Sequence, residues 1–135
     1  MSDRPHDAER LADWTATAID LWTVTAIVQP FRLDPVSLAL EGLPECHGVT
    51  ISDCRGFGHA KLSRERQAPN RRDVIDYARH VRIDCMVAGR FNAIDVARTI
   101  AIVAHTGNEG DGKVFIAPLS GAVAIRDFDV DELAL

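Results

Sequence analysis

The sequence predicts an α+β domain of ferredoxin-like order: a split βαβ arrangement with a four-stranded antiparallel sheet and both helices on one face. Three observations carry this expectation. Four segments rich in β-branched residues read as strands. Two segments with helical apolar spacing follow the first and the third of them. The order is therefore β-α-β, a long connecting segment, then β-α-β. At 135 residues the chain fits a single domain and has no room for a second catalytic one.

Residues 1–21 read as an appendage. Ala8, Leu11, Ala12 and Trp14 line one side of a short helix starting near Asp7. The first strand is 22–29, β-branched and mostly apolar, closed by Pro30. A helix follows at 35–43. Asp34 is placed to cap it and Pro35 suits a first helical position, where no amide donor is needed. Val36, Ala39, Leu40 and Leu43 give it one apolar face, and Gly42 and Pro44 end it.

The second strand is 48–56, broken by Gly56-Phe57-Gly58. From His59 to Arg79 there is no core pattern, and a segment of that kind inside a small domain is usually functional or disordered. The third strand is 80–87, with Val81, Ile83, Cys85 and Val87 alternating against Arg82 and Asp84. The second helix is 93–105. Asn92 is its expected cap, Phe91 and Val96 are spaced as a hydrophobic staple, and Ala93, Val96, Ala97, Ile100, Val103 and Ala104 form its stripe. A glycine-rich loop, 107–112, leads to a fourth strand at 113–117. A last short strand is expected at 122–126, before an acidic tail. The sheet face opposite the helices needs a cover, and oligomerisation supplies one for so short a chain.

Composition narrows the function classes. Apolar residues are 47% and charged residues 26%, ordinary globular usage. The net charge of −5 argues against general nucleic-acid binding, which needs a cationic footprint. No apolar run approaches the ~20 residues of a membrane span. The polar start of the chain and its three cysteines predict a reduced, cytoplasmic protein rather than a disulfide scaffold.

Thr106-Gly-Asn-Glu-Gly-Asp-Gly-Lys113 is the segment most suggestive of chemistry. Gly107 to Lys113 spells G-x-x-x-x-G-K, but Val114 stands where the P-loop of a nucleoside triphosphatase needs Ser or Thr. The helix also comes before the loop and the strand after it, the reverse of a P-loop. What remains is a run of three glycines whose amides can converge on an anion, with a lysine at the exit. The alternative is a plain helix-to-strand turn. Gly56-Phe57-Gly58 permits close backbone approach, or is a loop hinge. Lys61, Arg64, Arg66, Arg71, Arg72 and Arg79 suit an acidic or phosphate-bearing partner, or a solvated face. Cys46, His47, Cys54 and Cys85 lack metal-ligand spacing and fall on different strands, so no metal is expected. His59, His80 and His105 have no nucleophile or carboxylate at a catalytic spacing, and no catalytic residues are assigned.

Three of these segments, in order, resemble PII signalling proteins. Residues 24–34, VTAIVQPFRLD, are similar to the opening strand and turn of that family. Residues 49–58, VTISDCRGFG, are similar to its second strand and T-loop entry, and 106–115, TGNEGDGKVF, to its B-loop. Ala122-Val-Ala-Ile-Arg126 lies where its C-loop falls. The resemblance spans 22–127, with 1–21 as an extension, a T-loop at about 57–80 and 128–135 as a tail. It implies a homotrimer binding adenine nucleotides between subunits and regulating a partner through the T-loop. Gly110, Asp111, Gly112 and Lys113 would hold phosphates, with Arg126 reaching them from the C-loop. Ile27, Thr50, Gly56, Phe57, Gly58 and Met86 would surround adenine and ribose.

The departures from the family pattern shape the expectation. Gln29 stands where the family carries lysine, Ala60 where it carries glutamine, and His80 where it carries a second lysine. In the family these positions serve 2-oxoglutarate and magnesium. Losing two ammonium groups removes charge-assisted contacts of about 1.5–3 kcal/mol each, so no ordinary 2-oxoglutarate response is expected. The uridylylated tyrosine falls near Asp73, so that switch is absent, and Ala124 replaces one C-loop arginine, which favours ADP or AMP over ATP. A small anion such as bicarbonate would then sit near Arg55, Gly58 or His80. The expected role is a nucleotide-binding regulator, not an enzyme, whose partner is a membrane transporter or an enzyme. The alternatives are a regulator of metal efflux or nitrogen metabolism, a weak ATPase, and a structural trimer with a vestigial site.

Overall fold

The computed structural model describes residues 20–56 and 78–127. Six elements occur in the expected order: β1 (Leu21–Val28), α1 (Leu33–Glu41), β2 (Cys46–Gly56), β3 (Ala78–Ala88), α2 (Arg90–Ala104) and β4 (Gly112–Pro118). The sheet order is β2-β3-β1-β4, and every neighbouring pair is antiparallel. This is the split βαβ topology read from the sequence. Leu21, expected in the extension, opens β1 and pairs with Ala88. The rest of the expected extension apart from Asp20, the T-loop apart from its last residues, and the acidic tail lie outside the described residues.

The core forms because alternate residues of the central strands face both helices. Val24, Ala26 and Val28 of β1 and Val81, Ile83, Cys85 and Val87 of β3 are buried against Val36 and Leu40 of α1 and Ala93, Val96 and Ile100 of α2. The other sheet face is mixed. Thr25 is buried there, while Met86 and Phe115 remain more than a third exposed.

Several local expectations change. Asp34 does not cap α1. A 3-10 turn at Pro30–Arg32 runs directly into the helix, which starts at Leu33 and places Asp34 within the first turn. There its charge opposes the positive end of the helix dipole. Pro30 rather than Pro35 opens the helical segment. Asn92 does not cap α2 either, because the helix starts at Arg90, after Gly89 at φ 92°. Its amide instead donates to the Ala88 carbonyl at 3.0 Å. Phe91 is consequently inside the helix and 81% exposed, on a different side from buried Val96, so no staple forms. The far end of α2 is capped from a distance: the Arg32 guanidinium donates to the Val103 carbonyl through Nε at 3.1 Å and through Nη2. A carbonyl left free by the helix end thereby gains a cationic partner.

The strand expected at 122–126 is absent. Residues 119–124 are irregular and Ile125–Asp127 form a 3-10 turn. A strand needs a paired edge, and among the described residues this segment has none. Its Val123-Ile125 alternation is a pattern without a neighbouring strand, and Ile125 is 90% exposed.

The cysteines also differ from expectation, since Cys46 and Cys85 are joined as a disulfide while Cys54 is free. The cause is a bulge between His47 and Val49, where Gly48 takes φ 82°. One extra residue reverses which side of the sheet the preceding residues face. Cys46 is thereby turned onto the helix side, beside Cys85.

Candidate functional site

The site is built at the end of the sheet where β1 leaves and β4 enters. Val28 pairs with Gly112 and Ile27 with Lys113, so the glycine loop sits over the end of β1. The approach is so close that a Cβ on Gly112 would lie 1.7 Å from the Ile27 carbonyl oxygen. Gly112 also has φ 99°, so both sterics and backbone require glycine there.

Asp111 organises the loop from within. Its carboxylate accepts from the Thr106 amide at 2.8 Å, the Gly107 amide at 2.9 Å and the Thr106 hydroxyl. It also accepts from the Gln29 amide at 3.1 Å, which ties the loop to the end of β1. These bonds, the Thr106 hydroxyl foremost, hold the carboxyl below the usual carboxylate range. The side chain expected among the phosphate ligands is therefore directed into its own loop.

A second tie comes from β3. His80 Nε2 donates to the Gly110 carbonyl at 3.1 Å, joining the first residues after the long connection to the glycine loop. On the same face, Arg82 donates to Asp84 through Nε at 2.9 Å and Nη2 at 3.3 Å. Asp84 also accepts from Thr25 at 2.8 Å. The Arg82 hydrogen bond, aided by Thr25, lowers the Asp84 carboxyl, and the same pair raises Arg82.

Between β2, β3 and the loop lies a cleft of about 420 Å³. It brings together Ile27, Arg55, Gly56, His80, Gly110, Gly112 and Lys113, all expected from the sequence. It adds Cys54 and Arg82, which the sequence reading did not select. Their signal was available: both are partners of β2 and β3 positions that alternate away from the core, Cys54 opposite His80 and Arg82 opposite Ser52. Asp111 lies instead on an adjoining cavity of about 250 Å³, with His105 and Val28. Thr50 and Met86 do not line the cleft. They stand further along the sheet, opposite Asp84 and His47 respectively. Arg126, in the terminal 3-10 turn, does not line it either. Phe57 and Gly58 lie outside the described residues.

Among the described residues, the cleft lining carries Arg55, Arg82 and Lys113 and no carboxylate. With glycine backbone on one wall, it is suited to an anion held by amides and cations together. Among the described residues no group of three or more His, Cys, Asp or Glu is placed to hold a metal ion. No helix among them is long and apolar enough to cross a membrane.

Comparison with known proteins agrees with this fold. Residues 21–128 match the family model "Nitrogen regulatory protein P-II". The nitrogen regulatory protein GlnK of Escherichia coli is 34% identical over 116 residues, covering 83% of this chain and 97% of GlnK. A nitrogen regulatory protein P-II of Synechocystis is 35% identical over 113 residues, covering 83% and 97%. Among solved structures, Arabidopsis thaliana PII bound to citrate matches with a TM-score of 0.62 and 32% identity, covering 81% of this chain and 86% of that one. A match that spans both helices, all four strands and the glycine loop places this chain in the P-II family of regulatory proteins.

Proposed function

We propose that this chain is a cytoplasmic, non-enzymatic signalling regulator that assembles as a homotrimer and binds ADP or AMP in its cleft. Bound nucleotide controls a partner, a membrane transporter in the first instance, through the segment at 57–80. The observation that carries this reading is the cleft lining itself: Arg55, Arg82, Lys113 and the Gly110 and Gly112 backbone, with no carboxylate among the described residues that line it. Phosphate is the natural occupant of such a wall. Lys113 supplies the point charge and Asp111 keeps the loop in shape. Ile27 and Gly56, continued by Phe57 and Gly58, take the nucleoside, and Arg126 reaches the phosphates from the C-terminal turn. Thr50 and Met86 contribute across the subunit boundary, on the sheet face that a trimer covers. Ala124 leaves that turn one cation short, which favours the smaller nucleotides over ATP.

The same geometry supports the loss of a 2-oxoglutarate response. Gln29 is engaged by Asp111 and His80 by the Gly110 carbonyl, so neither position offers a free cation to a dicarboxylate. A small monoanion, bicarbonate in this proposal, fits beside Arg55 and His80 at the segment leading to Gly58. The test is a thermal-shift series on the full chain with AMP, ADP and ATP, each with and without bicarbonate, 2-oxoglutarate and magnesium. A ligand at 100 times its Kd stabilises the folded state by about 2.7 kcal/mol, well within detection. A shift with ADP or AMP that bicarbonate enlarges and 2-oxoglutarate leaves alone supports the reading. No shift with any nucleotide overturns it.

A further inference from the structure

The three cysteines occupy three different settings, and only two of them can meet. Cys85 is in the core at 2% exposure. Cys54 is opposite His80, on the sheet face away from the helices. Cys46 would share that outer face were it not for the bulge at Gly48, which reverses its direction. The reversal brings the Cα atoms of Cys46 and Cys85 to 6.5 Å, within disulfide reach, and the two sulfurs are bonded. Cys46 is only partly buried and lines a groove of about 320 Å³ between α1 and β2, with Leu40, Leu43, Val49 and Glu41. A small reagent therefore has access to one sulfur while the other stands behind it.

We propose that Cys46 and Cys85 are a reversible dithiol–disulfide site, oxidised through Cys46 by small neutral or cationic disulfides. The thiolate of Cys46 attacks one sulfur of the reagent, forming a mixed disulfide and expelling one thiolate. The thiolate of Cys85 then attacks the Cys46 sulfur, closing the internal bond and expelling the second. Two electrons pass to the reagent disulfide, which leaves as two thiols, while the protein loses two hydrogens. Among the described residues Glu41 is the charged one in the groove lining, and it disfavours an anionic reagent. Cys54, on the opposite face, cannot resolve the intermediate.

The test uses the full chain, reduced and then treated with cystamine, bis(2-hydroxyethyl) disulfide or oxidised glutathione, with peptide mapping under non-reducing conditions. The expected product is the Cys46–Cys85 link with no adduct on either residue, reversed by dithiothreitol. Cystamine reacts about tenfold faster than oxidised glutathione, the direction set by charge at the groove. Cys85→Ala traps a stable adduct on Cys46, and Cys54→Ala behaves as the unaltered chain. Persistent adducts on Cys46 in the unaltered chain, or two thiols that stay reduced under all three reagents, overturn the proposal. If Cys85→Ala fails to fold, the unaltered chain and Cys54→Ala still decide the matter.

Discussion

His80 and Gly110 are hydrogen-bonded, imidazole Nε2 to backbone carbonyl, at 3.1 Å. The contact joins β3, where the chain returns from the 57–77 segment, to the loop that lines the cleft. His80→Ala removes the tie without touching the core. Nucleotide affinity is expected to fall about tenfold, the equivalent of roughly one hydrogen bond's worth of loop order, while thermal stability without ligand barely changes. Titration calorimetry and a melting curve on the same variant check both parts.

Asp111 gives a second test. Its carboxyl is lowered by the Thr106 hydroxyl and the Thr106 and Gly107 amides. A group with a depressed native pKa stabilises the fold fully above its ordinary value, and that contribution is lost as pH falls through the native value. Asp111→Asn is therefore expected to weaken ADP binding at neutral pH and to flatten the acid limb of the stability curve. Urea unfolding at neutral and acid pH reads the second effect; calorimetry reads the first.

The sheet was largely legible because its residues alternate cleanly: Val81, Ile83, Cys85 and Val87 leave one possible core face. The loop was legible because Gly107, Gly110 and Gly112 need backbone freedom at fixed spacing, and all three have positive φ. The inward direction of Asp111 was not, since Thr106 and Gly107 reach its carboxylate only once the loop has folded back on itself, and its further partner Gln29 is 82 residues away. Nor was the Cys46–Cys85 pairing, because period-two reasoning fails across the single extra residue at Gly48. The segment at 122–126 misled for the converse reason: alternation alone does not supply a neighbouring strand.

Two glycines of the loop separate sterics from backbone strain. Gly112→Ala meets the Ile27 carbonyl at 1.7 Å and is expected to cost at least about 3 kcal/mol, with loss of the β1–β4 end of the sheet. For Gly110→Ala the nearest atom is 4.0 Å away, so the cost is the positive φ, about 1–3 kcal/mol. Denaturant curves followed by circular dichroism should rank the two in that order.

Thr25 is 2% exposed and donates to Asp84 on the outer sheet face. Thr25→Val keeps the volume and removes the donor, which raises the Asp84 carboxyl toward its ordinary value. Stability at neutral pH is expected to fall by about 1 kcal/mol, and the difference from the unaltered chain should vanish once Asp84 is protonated. Paired urea titrations at neutral pH and below the carboxylate range check the sign.

The cross-link spans 39 residues of sequence. Opening it with a reductant under native conditions is expected to lower unfolding stability by about 2–4 kcal/mol, chiefly by releasing the unfolded chain. Chemical denaturation with and without dithiothreitol measures it, with Cys54→Ala as the background that removes the free thiol.

The most direct measurement is calorimetric titration of ADP into the full chain and into Lys113→Ala. Lys113 faces the cleft among glycine backbone and cations, so its loss should weaken ADP at least about tenfold, consistent with one charge-assisted contact. Saturable ADP binding that falls by that amount in the variant is the predicted result. Equal affinity in both proteins, or no binding to the unaltered chain, contradicts the assignment of this cleft to nucleotide phosphate.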